Sequence, residues 1–204
     1  YPSALEIKDK SKSAAKWSLV TEVLVKVISP ISQLILARLL VPEAFGMVAT
    51  VTMVVNFADM FSDAGFQKYL IQHSFRDKSG LFRAANVAFW SNFLVSIILW
   101  MLVAAFNGRV ASFVGNPSLG IPLAIASMSL PLTAFSSIQM ALLHRDLNFK
   151  ALMPIRLLGS LLTFGVTVGL AYAGLSYWSL IAGTLLGNLF NAIALTVRSE
   201  WKPS

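Results

Sequence analysis

Hydrophobic residues along this chain gather into long unbroken runs, and polar residues are largely confined to the gaps between them. Six runs are long enough to cross a bilayer: Trp17–Leu39, Phe45–Ala64, Ala84–Phe106, Leu119–Leu143, Leu152–Ala173 and Ser176–Val197. Each approaches the ~20 residues that a tilted helix needs to cross roughly 30 Å of hydrocarbon. None alternates with period two, and lipid offers no partner to free backbone groups, so helices are predicted rather than a barrel. The expected fold class is all-α, a polytopic transmembrane six-helix bundle over residues 17–197, with a polar segment before it (1–16) and another after it (198–204).

Cations fall on every second connection. Lys8, Lys10, Lys12 and Lys16 precede the first span; Lys68, Arg76, Lys78 and Arg83 lie between the second and third; Arg145, Lys150 and Arg156 surround the fourth connection; Arg198 and Lys202 follow the last. The opposite side carries Arg38 and Arg109. The positive-inside rule makes the crowded side cytoplasmic and places both termini there. Orientation accounts for the net charge of +7, and no nucleic-acid partner is needed.

Composition agrees with this picture. With 56% hydrophobic and 12% charged residues and a mean hydropathy of +0.72, the chain lies outside the soluble range of about 45–50% apolar and about 25% charged. It has no Cys, which excludes disulfides, thiolate metal sites and Cys nucleophiles. The run after Lys16 is a full span with no small-residue cleavage site, so it is expected to be a membrane anchor and not a removable signal. A start at Tyr1 fits a processed product or a fragment.

One longer connection, Gly65–Arg83, carries Gln67, Lys68, His73, Arg76, Asp77 and Lys78. It is expected along the cytoplasmic face, either as an amphipathic segment meeting anionic headgroups of membrane lipids or as an ordinary solvated loop. His73 reads as a surface residue, since no second His, Cys or paired carboxylate stands at metal spacing; no metal or cofactor is expected.

Ionisable groups inside a span cost roughly 2.5–3.5 kcal/mol each on insertion scales, so their positions are informative. Glu22, Lys26, Ser29 and Gln33 follow one another at helical spacing and stack on one face of the first span. The stripe fits a wet interior seam, or alternatively a Glu22–Lys26 pair that neutralises itself near the interface. Asn56, Asp59 and Asp63 repeat the idea in the second span. Two carboxylates one turn apart repel, which favours a shared proton or a cation; the other reading has Asp63 ending the helix while Asp59 takes a hydrogen bond from a neighbour.

Helix four contains Pro122 and Pro131 among Ser127, Ser129, Thr133, Ser136 and Ser137, which predicts a bend whose freed carbonyls are met by hydroxyls. Gly165 and Gly169 on helix five and Gly183 and Gly187 on helix six are expected at helix contacts. Asn188 and Asn191 serve either as interhelical hydrogen bonds or as cavity groups. His144, Arg145, Asp146 and Leu147 spell the start of a kinase catalytic loop, but Ala151 stands where that motif needs Asn, and the match is chance. No GxSxG, HExxH, Walker A or strand-linked GxGxxG occurs, so a non-enzymatic role is expected.

Several strings resemble a known family. Leu36 to Gly46 (LARLLVPEAFG) is similar to the LARLLxPExFG signature at the first periplasmic turn of bacterial polysaccharide flippases, exporters of lipopolysaccharide, O-antigen and exopolysaccharide repeat units. Phe61 to Gln72 resembles the family's FSDxGxxxxxIQ stretch, Phe89 to Asn92 its FWxN, Arg145 to Lys150 its RxLxFK, and Tyr172 to Gly183 its GxxYWSLIxG. The five keep order and spacing from about Lys16 to Pro203.

The resemblance implies one six-helix lobe of a two-lobed exporter fold, within the multidrug, oligosaccharidyl-lipid and polysaccharide exporter superfamily, with residues 198–204 ending the lobe or starting a linker to a missing carboxyl-terminal lobe. It implies movement of a polyprenyl-pyrophosphate-linked oligosaccharide from the cytoplasmic to the periplasmic leaflet by alternating access, coupled in several members to a proton or sodium gradient. On that basis Lys26 is expected to attract the pyrophosphate, with Arg156 at the cytoplasmic mouth. Gln33 and Ser29 would meet sugar hydroxyls, and Glu22, Asp59 and Asp63 would couple the ion. Arg38 would pair with Glu43 at a periplasmic turn or gate. A drug or small-solute exporter of the same superfamily is the competing reading, and a membrane enzyme of glycan assembly a third, disfavoured by the short periplasmic connections.

Overall fold

The computed structural model describes residues 23, 26–28, 30–63, 65–75, 77–146 and 149–203. Among these the chain is helical and contains no strand. Residues 30–39 form α1, with residues 26–28 also helical before it; α2 follows at Pro42–Asp63, α3 at Phe66–Gln72, α4 at Lys78–Ala105 and α5 at Asn107–Phe113. A 3-10 turn at Pro117–Leu119 leads into α6 (Gly120–Ala126), α7 (Ser129–Arg145), α8 (Phe149–Tyr172) and α9 (Tyr177–Arg198). Five segments among the described residues are long and apolar enough to cross a membrane, and they match the second to sixth predicted spans. Of the first predicted span, Trp17–Leu39, residues 17–22, 24, 25 and 29 lie outside the described residues.

Polar residues absorbed at helix starts explain why the predicted boundaries are late. Pro42 sits at the first position of α2, where its missing N–H costs nothing, and Glu43 occupies the positive first turn. Asp77 caps α4 by accepting from the Gly80 N–H at 3.2 Å, so α4 begins at Lys78, six residues before its apolar run. Its 28 residues correspond to about 42 Å, more than the hydrocarbon depth.

The long connection contains α3, entered through Gly65 at φ 82°. The connection at residues 106–118 is not the plain link its length suggests, since it folds into α5 and the 3-10 turn. The bend expected in helix four is a break between α6 and α7. Pro131 has no N–H for the Ser127 carbonyl, which accepts instead from Leu130 N at 3.0 Å. Nearby hydroxyls donate to their own helix: Ser127 to the Ala124 carbonyl, Thr133 to Ser129, Ser137 to Ala134.

Packing follows small residues and polar knots, because lipid tails give helices no hydrophobic reason to associate. Gly183 and Gly187 of α9 face Thr167 and Thr163 of α8, and a Cβ at either would collide with the opposing hydroxyl. The partner glycine on α8 is Gly159, set against Asn191. Gly165 and Gly169 have open space beside them, which corrects the expectation that they pack. Elsewhere Ser62, Asn92 and Ser137 join α2, α4 and α7, and Gln139 of α7 donates to Thr196 of α9 at 3.4 Å. Large apolar side chains point outward, as lipid requires: Phe57, Met60 and Phe61 of α2 and Val197 of α9 are all more than half exposed.

The helices run up and down, so α3, the start of α4 and the ends of α7 and α9 gather at one end with Lys68, Lys78, Arg83, Arg145 and Arg198. The opposite end, with the α1–α2 turn and α5, carries Arg38 and Arg109. At the basic end Trp201 folds back, 3% exposed, into a cluster with Leu70, Phe89, Ile138 and Leu142.

Candidate functional site

Two polar clefts share α9 as a common wall. One, of about 240 Å³, lies between α2, the α6–α7 break and α9, and is lined in part by Thr52, Asn56, Asp59, Ser129 and Thr133. The other, of about 370 Å³, lies between α1, α8 and α9, with Ser32, Gln33, Ser160, Thr163 and Asn191 in its lining. Leu180, Thr184 and Asn188 line both. These polar side chains recur at helical spacing: Ser160, Thr163 and Thr167 on α8, and Thr184, Asn188 and Asn191 on α9, each set on one face.

Several hydroxyls donate to their own helix, four residues back: Ser32 to the Ile28 carbonyl at 2.9 Å, Ser160 to Arg156 at 2.9 Å, Thr167 to Thr163 at 2.7 Å and Thr184 to Leu180 at 2.9 Å. Each proton is thereby held, and the oxygen lone pairs remain to accept from whatever fills the cleft. Among the described residues, Asp59, half-buried, is the ionisable one lining the α2 cleft, and those lining the α1–α8–α9 cleft include none.

A third cavity, of about 380 Å³, sits at the basic end among Lys78, Arg145, Arg198, Asp77, Asp146 and Glu200. Its cations are matched by carboxylates. Lys78 and Glu200 approach to 3.5 Å, and Arg145 donates to the Leu70 and His73 carbonyls at 2.5 and 2.6 Å, so this cavity is a joint between elements rather than an anion site. Outside the spans, the Asp77 carboxyl is held below its ordinary range, chiefly by the Ser79 hydroxyl and then by the Gly80 N–H.

The residues singled out from sequence fall in different places. Gln33 and Asp59 line clefts. Lys26 is exposed, and the described residues lining the two clefts do not include it. Arg156 is exposed on α8, one turn from Ser160 toward the basic end. Glu22, Ser29 and the side chain of Asp63 lie outside the described residues. Arg38 and Glu43 are both exposed at the α1–α2 turn; among the described residues the ion pair is Lys78–Glu200, and the expected Arg38–Glu43 pair does not form. No group of three His, Asp or Glu among the described residues could hold a metal ion. Sequence reasoning missed Ser160, Thr163 and Thr184, whose three- and four-residue spacing to other polar positions was the available signal.

Residues 35–204, five-sixths of the chain, match the family described as polysaccharide biosynthesis protein. The chain belongs to that family. It is 28% identical over 169 residues to the succinoglycan biosynthesis transport protein ExoT of Rhizobium meliloti (strain 1021), covering 83% of this chain and 33% of the relative. It is 24% identical over 193 residues to the lipopolysaccharide biosynthesis protein WzxC of Escherichia coli (strain K12), covering 95% and 38%. A membrane protein in the cps region of Klebsiella pneumoniae is 23% identical over 164 residues, covering 80% and 33%. The chain thus spans about a third of the length of these curated relatives. No solved structure matches it. Within this family member, two of the recognised strings meet in space: Ser62 of the first bonds Asn92 of the second.

Proposed function

We propose that this member of the polysaccharide biosynthesis protein family is one lobe of a transporter that carries a polyprenyl-pyrophosphate-linked oligosaccharide from the cytoplasmic to the periplasmic leaflet, without chemical change, during cell-surface polysaccharide synthesis. The carrying observation is the pair of polar clefts cut into an otherwise apolar bundle. Polar groups in lipid that are not spent on holding helices together are costly unless a polar passenger or water meets them. The names of the transport and lipopolysaccharide relatives support the reading.

In this proposal the basic end faces the cytoplasm, with residues 1–16 and 198–204 beside it, and the membrane is the inner one. Lys26 attracts the pyrophosphate, with Arg156 at that mouth. Gln33 and Ser29 meet sugar hydroxyls. Asp59, with Glu22 and Asp63, carries the coupling proton or sodium ion, and Arg38 and Glu43 act at the turn on the far side. A second lobe completes the passage, and alternating access exposes the clefts first to one side and then to the other.

This chain has no Cys, so a single thiol introduced into it reports on its own position. Thr184→Cys, placed in the shared wall, is exposed to an impermeant maleimide in spheroplasts and in inside-out vesicles. Labelling from both sides, slowed by added lipid-linked oligosaccharide, is the expected result; labelling from one side alone, or indifference to the lipid, overturns the reading.

A further inference from the structure

The charges around the basic-end cavity are not all spent within the protein. Asp77 accepts from the Ser79 hydroxyl and the Gly80 N–H, Lys78 and Glu200 pair with each other, and Arg145 donates to two carbonyls of the α3 segment. Arg198 and Asp146 are left over. Both are exposed, and neither is hydrogen-bonded or ion-paired through its side chain. They line one cavity without coming within ion-pair distance of each other. Asp146 also ends α7, so its carboxylate coincides with the negative end of the helix dipole, and a cation placed there is stabilised by both. Trp201 lines the same cavity, and its indole N–H is buried without an acceptor, a state in which buried donors are rarely left.

An apolar groove of about 480 Å³ lies deeper along the same helix, between α4, the α6–α7 break and α9. Its α9 side runs from Leu189 to Val197 and stops one residue short of Arg198. At 1.5 Å per residue that is about 12 Å, a little under half of the roughly 30 Å of hydrocarbon and so within one leaflet. Thr196 lines the groove, but its hydroxyl is spent on the Ala192 carbonyl. Phe93 and Phe135 form the facing wall, both rings pack on Phe89, and Trp201 packs on that same ring. One aromatic layer therefore connects the groove to the charged cavity.

We propose that this face of the bundle binds a bilayer phospholipid with a phosphoethanolamine head: its phosphate at Arg198 and the Trp201 N–H, its ammonium at Asp146 and the end of α7, and one acyl chain along the α9 groove. A zwitterion is the complement of one free cation and one free carboxylate held apart in a single cavity. A head of net negative charge would leave Asp146 facing it uncompensated. A primary ammonium brings three N–H donors to that carboxylate, which a quaternary ammonium lacks. The site requires only that the chain cross a membrane, and it stands or falls independently of the transport reading.

Native mass spectrometry of the purified gene product tests this, with the protein released from detergent in the presence of equimolar dioleoyl phosphatidylethanolamine, phosphatidylcholine and phosphatidylglycerol. The wild type should retain the ethanolamine lipid about fivefold over the other two, the ratio open to a well-placed but exposed charge pair. Asp146→Asn should erase the advantage over the choline lipid while leaving choline-lipid retention unchanged, and Arg198→Gln should lower both. Ile193→Trp, which fills the groove, should lower all three lipids without altering their ratio. Asp146 and Arg198 are exposed at helix ends, and the wild-type ratio keeps the test decisive should a variant fail to fold. Equal retention of the ethanolamine and choline lipids, a preference for the glycerol lipid, or an undiminished ethanolamine preference in Asp146→Asn overturns the headgroup site. Lipid retention in Ile193→Trp equal to that of the wild type overturns the placement of the chain in the groove, and the proposal with it.

Discussion

The Ser62 hydroxyl donates a 2.6 Å hydrogen bond to the Asn92 carboxamide oxygen, tying α2 to α4 across 30 residues of sequence. Asn92 in turn donates to the Ser137 oxygen at 3.0 Å, and Ser137 donates to the Ala134 carbonyl at 2.9 Å. Both residues of the first pair are no more than 2% exposed. In a bundle whose helices gain nothing from hiding apolar surface, a buried relay of this kind fixes how three helices meet.

Asn92→Leu keeps the volume and removes the relay. Interhelical hydrogen bonds in membranes average about 0.6 kcal/mol and reach about 1.7, so losing the amide's two bonds should destabilise the fold by about 1–2 kcal/mol. Ser62→Ala alone should cost less, and the double variant should cost less than the sum. Unfolding from mild-detergent micelles with sodium dodecyl sulfate measures all three; strict additivity would remove the relay from the account of how α2 and α4 associate.

The glycines separate by what a methyl group would meet. Gly187→Ala places Cβ against the Thr163 hydroxyl and Gly183→Ala against that of Thr167; each should cost about 1–3 kcal/mol as the α8–α9 contact is forced apart. Thr163→Ala should partly rescue Gly187→Ala, since the remaining Cβ lies 3.3 Å away. Gly165→Ala and Gly169→Ala meet open space and should stabilise α8 by about 0.5–1 kcal/mol each. The same detergent titration reads these signs.

Those glycines also show where sequence reasoning stops. Spacing alone marks Gly165 and Gly169 as clearly as Gly183 and Gly187, yet only partner side chains decide which pair meets a neighbour. Span positions were legible because hydropathy over ~20 residues is an additive property. The break at Ser127 was legible because Pro131 acts on its own helix. The clefts were half legible: Asn188 and Asn191 stood out as polar, but that Asn188 and Asp59 line one cleft depends on how α2, α7 and α9 cross, and no local pattern states that. The surroundings of Lys26 and Arg38 were illegible for the same reason, since a charge has the same spacing whether it faces a seam or the surroundings.

Asp77 predicts a pH effect of definite sign. Its folded carboxyl titrates below its unfolded value because the Ser79 hydroxyl, the Gly80 N–H and Arg83 favour the ionised form. The contribution is therefore fully present above the unfolded carboxylate pKa of about 3.9 and fades as pH falls through the lower folded value. Wild type should be more stable than Asp77→Ala at neutral pH, and the gap should narrow progressively below about pH 4. Thermal unfolding of the two proteins over that range checks it; a gap that widens on acidification would reverse the sign and refute the cap.

Arg145 fastens α3 to the end of α7. Its guanidinium donates to the Leu70 and His73 carbonyls at 2.5 and 2.6 Å and lies 5.0 Å from the Phe75 ring, beside which His73 and Tyr69 stack at 4.9 Å. With seven residues, α3 is too short to persist alone in water, so its position depends on this contact and on Leu70 in the core. Arg145→Ala strips partners from two carbonyls; hydrogen bonds to charged groups contribute about 1.5–3 kcal/mol each. Trypsin cleavage after Lys68 in the solubilised protein should accelerate about tenfold or more, the ratio that ~1.4 kcal/mol of lost docking produces. Arg145→Lys keeps the charge but not the planar fork and should fall between the two. Equal cleavage rates in all three proteins would show that α3 is held by its apolar face alone, and that the arginine in the RxLxFK-like string stands there for another reason.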